Sequence, residues 1–285
     1  MITSRDNKFV KEIRSLQNKK SRDETGLFII EGMRNAKEVL GTDTKIAYCL
    51  YTEKLAGDKL VKALMQQQIP CYDVKDSIFH SLSATRESQG IILAAKKNNW
   101  EIKQFFVESA GKNLAILDHI QDPGNLGTIL RSAWAAGLGG IIVLANGVDI
   151  YNPKVVRAAM GALYHLPVTM ITAEEAYFQL KQHDYEILVA DANGEDYHEF
   201  KCAAKVAWLL GSEANGPEAF WRNKADFTLS IPMAKGVDSL NVAVAASILF
   251  FADIGEKKTE IYISLMLHRQ ASLCYNIYRI CDKTI

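Results

Sequence analysis

The stretch LAILDHIQDPGNLGTILRSAWAAG, residues 114–137, decides the fold. It opens with an unbroken apolar run, LAILD, and turns through a loop carrying Pro123 and Gly124. It then continues as an apolar helix near 126–137. A strand with no polar alternation is buried on both faces, as in a parallel sheet covered by helices. A helix directly after it is the crossover that such a sheet needs. Five later runs read the same way: IIVLA at 141–145, PVTMI at 167–171, EILVAD at 186–191, VAWLLG at 206–211 and FTLSIP at 227–232. Further helices are expected near 153–162, 173–182 and 239–253. The fold class is therefore α/β with a mostly parallel sheet over 114–253. Three strand ends run into loops rich in Gly or Pro: LDHIQDPGN, LLGSEANGP and IPMAKGVDS. Ligands of open parallel sheets sit beyond the carboxyl ends of strands, so these loops are the prime site candidates.

Upstream, residues 1–97 hold shorter alternating elements. KFVKEIRSL, MRNAKEVLG (closed by Gly41) and DKLVKALMQQQ read as helices, whereas LFIIEG, IAYCLYT, IPCYDV and QGIILAAKK read as strands. These predict a separate small α/β domain. The polar segment 98–113 is the expected linker, although Trp100, Phe105 and Phe106 suggest that it packs as a helix. Residues 254–285 follow what reads as a final helix and stay an unassigned tail.

The 285 residues are 48% apolar and 23% charged, with a net charge of zero, as in an ordinary globular protein. Locally the balance differs. Over residues 1–22, Arg5, Lys8, Lys11, Arg14, Lys19, Lys20 and Arg22 face only Asp6 and Glu12, which predicts either a solvated helix face or a phosphate-contacting edge. The five scattered cysteines form no CxxC pair, which argues against a zinc site and a disulfide framework. The N-terminus lacks a signal-peptide core, and the longest apolar run, VAVAASILFFA at 242–252, is too short to span a bilayer. A soluble cytoplasmic protein without membrane contact is expected.

No GxxxxGK motif and no GxGxxG between strand and helix is present, which excludes the common phosphate and dinucleotide loops. HExxH and GxSxG are also missing. In the first loop Asn125 reads as an N-cap, and Arg131 is a single fixed cation on an apolar helix. Its partner is either a carboxylate such as Asp118 or Asp122, or a ligand phosphate reached over the bare Gly127. In the second loop Glu213 follows a buried strand, where it can face solvent, orient a substrate, hold a metal or pair with Arg131. In the third loop Ser239 reads as a helix N-cap with Asn241 in the first turn. Ile231, Met233, Val237 and Leu240 can line a slot for a flat ring whose edges meet backbone groups.

Together, N-x-G-x-x-x-R at 125–131, G-S-E-x-x-G-P at 211–217 and I-P-M followed by S-L-N at 231–241 resemble the signatures of the SpoU (TrmH-like) class of SPOUT RNA 2′-O-ribose methyltransferases. FIIEGMRNAKEVL at 28–40 is similar to the substrate-binding domain that many members carry. The resemblance implies a C-terminal SPOUT domain with a deep trefoil knot over 114–253, preceded by an RNA-binding domain. It also implies a homodimer and bound S-adenosylmethionine, with no metal required. On the matching positions, Gly211, Ile231 and Leu240 would contact the cofactor. Arg131 would be the catalytic arginine, with Asn125, Glu213, Ser239 and Asn241 around the reacting ribose.

Transfer to a ribose 2′-hydroxyl makes RNA the substrate, and the appended N-terminal domain favours ribosomal over transfer RNA. A guanidinium pKa above ~12 makes Arg131 a poor base and a good clamp for a phosphate and a developing alkoxide. Two other readings compete. One is a non-catalytic RNA-binding relative; the other is a Mg²⁺-dependent phosphate-handling enzyme using Asp118, Asp191 and Glu213.

Overall fold

The computed structural model describes residues 1–85, 87–98, 100–201, 205–212 and 216–252. Among them the strands are β1 (Leu27–Glu31), β2 (Ile46–Thr52), β3 (Cys71–Val74), β4 (Ile91–Lys96), β5 (Leu114–Leu117), β6 (Gly140–Leu144), β7 (Val168–Ile171), β8 (Glu186–Asp196), β9 (Val206–Leu210) and β10 (Phe227–Ser230). The first four form a sheet in the order β1-β4-β2-β3, and the other six a sheet in the order β10-β8-β9-β5-β6-β7. Every neighbouring pair in the larger sheet is parallel. In the smaller sheet β4 runs antiparallel to both β1 and β2, and β3 is parallel to β2.

The apolar runs become the centre of the larger sheet: β5, β6 and β9 are buried at every position. β8 is longer than its apolar run, because it continues through Gly194 to Asp196. A Cβ at Gly194 would lie 2.6 Å from the backbone of Thr228 and Leu229, where the β8–β10 register shifts. The bare glycine lets β10 cross that closely, and the polar residues of this extension conceal it in the sequence.

Helix limits differ from the sequence expectation at their caps. The first helix of the larger domain is Pro123–Ala136, and its N-cap is Asp122, whose carboxylate accepts from Asn125 N at 2.8 Å. Proline at the first helical position has no N–H to leave unsatisfied, which fixes the start there and moves Asn125 into the first turn. The helix expected over 153–162 divides into Pro153–Ala159 and Ala162–His165, since Met160 and Gly161 take φ of +50° and +103°. The last helix covers 242–252, and Asn241 caps it by accepting from Ala243 N at 3.0 Å and Val244 N at 3.3 Å. Asn241 thus has the capping role expected of Ser239. The helix Ala173–Gln182 falls where expected. Segment 98–113 contains the helix Ile102–Glu108, with Phe105 and Phe106 buried.

The two sheets share one apolar core, to which Phe28, Val39 and Leu93 contribute from one side and Leu130, Val155 and Leu166 from the other. Polar links cross the same seam. Arg22 is 2% exposed and its Nη2 lies 2.6 Å from Asp149 Oδ2, while Nη1 donates to the carbonyls of Leu16 and Gln17, both at 2.9 Å. Arg157 meets Glu31 at 3.4 Å and His165 meets Glu38 at 2.8 Å. The Tyr151 hydroxyl donates to Asn98 O at 2.7 Å, and burial pushes this phenol up to about 12. Arg22 therefore leaves the proposed basic edge. Lys11, Lys19 and Lys20 pair there with Asp6, Asp23 and Glu24, while Arg5, Lys8 and Arg14 are exposed. Among the described residues, no helix is long and apolar enough to cross a membrane.

Candidate active site

β5 delivers the first loop. Its last apolar residue is followed by Asp118, which is buried, and by His119, whose φ is +57°. Asp118 Oδ1 lies 2.7 Å from His119 Nδ1, and Oδ2 accepts from Glu218 N at 2.8 Å. Asp118 N donates to Leu210 O at 2.9 Å. Asp118 therefore grips both ends of the second loop, at Leu210 where β9 ends and at Glu218 where the next helix begins. The bond from Glu218 N to the carboxylate is of the kind worth about 1.5–3 kcal/mol, and the backbone bond to Leu210 about 0.5–1.5 kcal/mol. Ligand atoms of Asp118, His119 and Glu218 all lie within 4.8 Å of one another. Asp191 is not part of that group and pairs with Arg222 at 3.2 Å, while Glu213, the third residue proposed for Mg²⁺, is outside the described residues.

The second loop closes on itself. Ser212 and Gly216 form an isolated bridge, and a Cβ at Gly211 would lie 2.1 Å from Pro217 N and 2.2 Å from Gly216 C. Only glycine permits that approach. Glu213 lies outside the described residues. Beyond this loop a cavity of about 270 Å³ is lined by Gly211 and Ser212 of the second loop and by Ile231, Met233, Ser239 and Leu240 of the third. The three residues expected to contact a cofactor, Gly211, Ile231 and Leu240, thus line one cavity. Ser239 joins them.

The third loop connects this cavity to the first helix. Directly after Ser239 and Leu240, Asn241 Nδ2 donates to Asn125 Oδ1 at 3.0 Å. Further along the same two helices, Ser132 and Ser247 bond through their hydroxyls at 2.8 Å. The last helix is thereby fixed along the first, with Asn241 and Asn125 next to the chain segment Ser239–Leu240 that lines the cavity.

Arg131 lies on the same helix and is exposed, together with Gly124, Thr128 and Ala135. Leu126, Gly127, Ile129, Leu130 and Ala133 form the buried face. The cation therefore points away from the core, and among the described residues no carboxylate pairs with it; Asp118 and Asp122 are engaged elsewhere. Gly127 has a different task from the expected one. A Cβ there would lie 2.3 Å from Ala158 Cβ, so glycine admits the helix Pro153–Ala159 and does not clear a path for Arg131.

Asp191 and Arg222 were not among the expected cofactor residues, yet both line the cavity. Asp191 ends an apolar run in the sequence, which is a usable signal. Nothing around Arg222 marks it.

A model described as the SpoU rRNA methylase family matches residues 112–251, and one for an MRM3-like substrate-binding domain matches residues 7–94. The chain is 30% identical over 251 residues to the 23S rRNA (guanosine(2553)-2'-O)-methyltransferase RlmP of Bacillus subtilis (strain 168), covering 88% of this chain and 97% of that protein. It superposes with a TM-score of 0.80 and 28% identity on an AdoMet-bound rRNA methyltransferase from Sinorhizobium meliloti, covering 88% and 95% of the two chains. The SpoU methyltransferase AviRb from Streptomyces viridochromogenes shares the fold, with a TM-score of 0.81 at 23% identity over 89% and 99% of the two chains. The chain belongs to the SpoU family and is an RNA methyltransferase that uses S-adenosylmethionine.

Proposed function

We propose that this enzyme transfers a methyl group to a ribose 2′-hydroxyl of ribosomal RNA. The observation that carries the reading is the junction of two parts. Leu240, which lines the cavity with Gly211 and Ile231, is followed in the chain by Asn241, which bonds Asn125 on the helix that exposes Arg131. The Bacillus subtilis relative, named as a 23S rRNA 2'-O-methyltransferase, supports the ribosomal substrate.

The residues present fit S-adenosylmethionine: the cavity has apolar walls for a ring and turns polar at Ser212, Ser239, Asp191 and Arg222. When bound, the cofactor supplies an activated methyl on a sulfonium, so the chain's own task is positioning and charge control. Arg131 presents a permanent cation with a planar fork of donors, suited to an RNA phosphate and to the oxygen that gains charge as its proton leaves. Asn125, six residues before it on the same helix, and Asn241 hold each other in place, and Ser239, two residues before Asn241, lines the cavity. Glu213 belongs with these residues by its place in the second loop.

The small sheet is the RNA-recognising domain in this reading, with limits at 1–97, a linker at 98–113 and the methyltransferase domain at 114–253. A knotted, homodimeric and cytoplasmic enzyme completes it. The sheet order β10-β8-β9-β5-β6-β7, followed by the return of helix 242–252 to Pro123–Ala136, supports the knot. Val244 and Phe251, 48% and 49% exposed, with Trp134 on the neighbouring helix, support a face that pairs with a second copy.

The test is a map of 2′-O-methyl marks on RNA from cells with and without the gene, followed by methylation of that RNA in vitro. One ribosomal nucleotide should lose its mark and regain it with pure protein. A lost mark confined to transfer RNA overturns the ribosomal assignment, and no lost mark in any RNA overturns the activity.

A further inference from the structure

The cavity beside Gly211 is apolar along most of its wall and charged at one place. Asp191 of β8 and Arg222 of the helix Ala219–Lys224 both line it, with Arg222 Nη2 3.2 Å from Asp191 Oδ2. The pair is held from several sides. Asp191 Oδ1 accepts from Asn193 N and Nδ2, both at 3.1 Å, and Arg222 Nε donates to Pro217 O at 3.1 Å. Gly216, at φ +65°, lies beneath both charges, where a Cβ would come within 3.0 Å of Arg222 Nη2 and 3.8 Å of Asp191 Oδ2. The Asp191 side chain is 12% exposed and that of Arg222 is 48%, so the acid is set into the wall and the guanidinium reaches it from the rim.

S-adenosylmethionine has two unlike ends: a flat adenine, and an amino acid carrying an ammonium beside a carboxylate. Leu210, Leu229, Ile231, Leu240 and Val242 offer the apolar wall for the first. Among the described lining residues, Asp191 and Arg222 are the charged ones, and their two charges oppose those of the amino-acid end. We infer that the Asp191–Arg222 pair is the amino-acid subsite of the cofactor cavity. Arg222 takes the carboxylate on its planar fork, and Asp191 aims that fork and faces the ammonium. This rests on the assignment of the cavity to the cofactor. Neither residue lies in the three loop motifs, so this chain sets its grip on the amino-acid end outside them.

The experiment is calorimetric titration of the intact chain with two ligands that share adenosine and a thioether. S-adenosylhomocysteine keeps the amino-acid end, whereas 5′-methylthioadenosine lacks it. Arg222→Gln should weaken S-adenosylhomocysteine about tenfold and leave 5′-methylthioadenosine within about twofold, as expected for one charge-assisted contact. Arg222→Lys should recover part of the loss. Equal weakening of both ligands, or of neither, overturns the subsite while the cavity assignment stands. Ile231→Asp, in the apolar wall, should weaken both ligands; if it changes neither, the cavity assignment falls and the subsite with it.

Discussion

Two arginines of this chain invite opposite expectations from sequence, and the structure reverses them. Arg131 stands alone in an apolar helix and reads as a buried charge in need of a partner. Arg22 belongs to a basic run and reads as one more solvated cation. In the folded chain Arg22 is the buried one, clamped between Asp149 and two carbonyls at the seam of the two sheets. Arg131 faces outward, with no pairing carboxylate among the described residues. The difference separates a charge that holds the two sheets together from one that faces solvent, the one to which the proposed function gives a ligand. A fully paired guanidinium has little left to offer RNA phosphate. An exposed one contributes little to stability and keeps its donors open to solvent.

The strongest way to break this comparison is Arg22→Ala. Removing one partner of a buried pair leaves Asp149, with a side chain only 9% exposed, without its counter-ion. Stability should fall by about 3–5 kcal/mol in denaturant titration; a loss below about 1 kcal/mol would refute the structural role. Arg131→Ala should do the reverse. Its unfolding free energy should stay within about 0.5 kcal/mol of the parent, as for an exposed site. Its single-turnover methyl transfer should fall about 100- to 1000-fold, the usual cost of one electrostatic stabiliser. Arg131→Lys should keep part of that rate with weaker RNA binding. Full RNA affinity with complete loss of turnover would instead give Arg131 the proton. A smaller and mixed effect is expected of Gly127→Ala, whose methyl meets Ala158 Cβ at 2.3 Å. Overpacking of this kind costs about 1–3 kcal/mol and shifts the helix that carries Arg131. Stability and rate should therefore fall together, and a loss of rate alone would restore the expected path over Gly127.

The parallel sheet was legible because an apolar run such as VAWLL, buried on both faces in β9, fits the middle of a helix-covered sheet and little else. The site loops were legible for a related reason: strand ends in such sheets are where ligands go. Their motifs then pointed to Gly211, Ile231, Leu240 and Ser239, which meet in one cavity. Caps were not legible. Asp122 and Asn125, or Ser239 and Asn241, are all competent N-caps, and only the start of the helix chooses between them. The fate of Arg22 was also hidden, since its partner lies 127 positions away and burial depends on that partner. Arg222 escaped for want of any motif, being defined by where its helix sits against β8.

The bond between Asn125 and Asn241 joins residues 116 positions apart, and Ser132 and Ser247 are 115 apart. A polypeptide leaves the ribosome amino end first, so the small sheet can fold while the last helix is still unmade. The helix that carries Arg131 must then wait through most of the domain's synthesis for the segment that bonds along it. Contacts between such distant positions also close slowly. A chain released early would have the small sheet and β5 but no cavity wall from the third loop, so under the proposed function premature termination yields a silent protein.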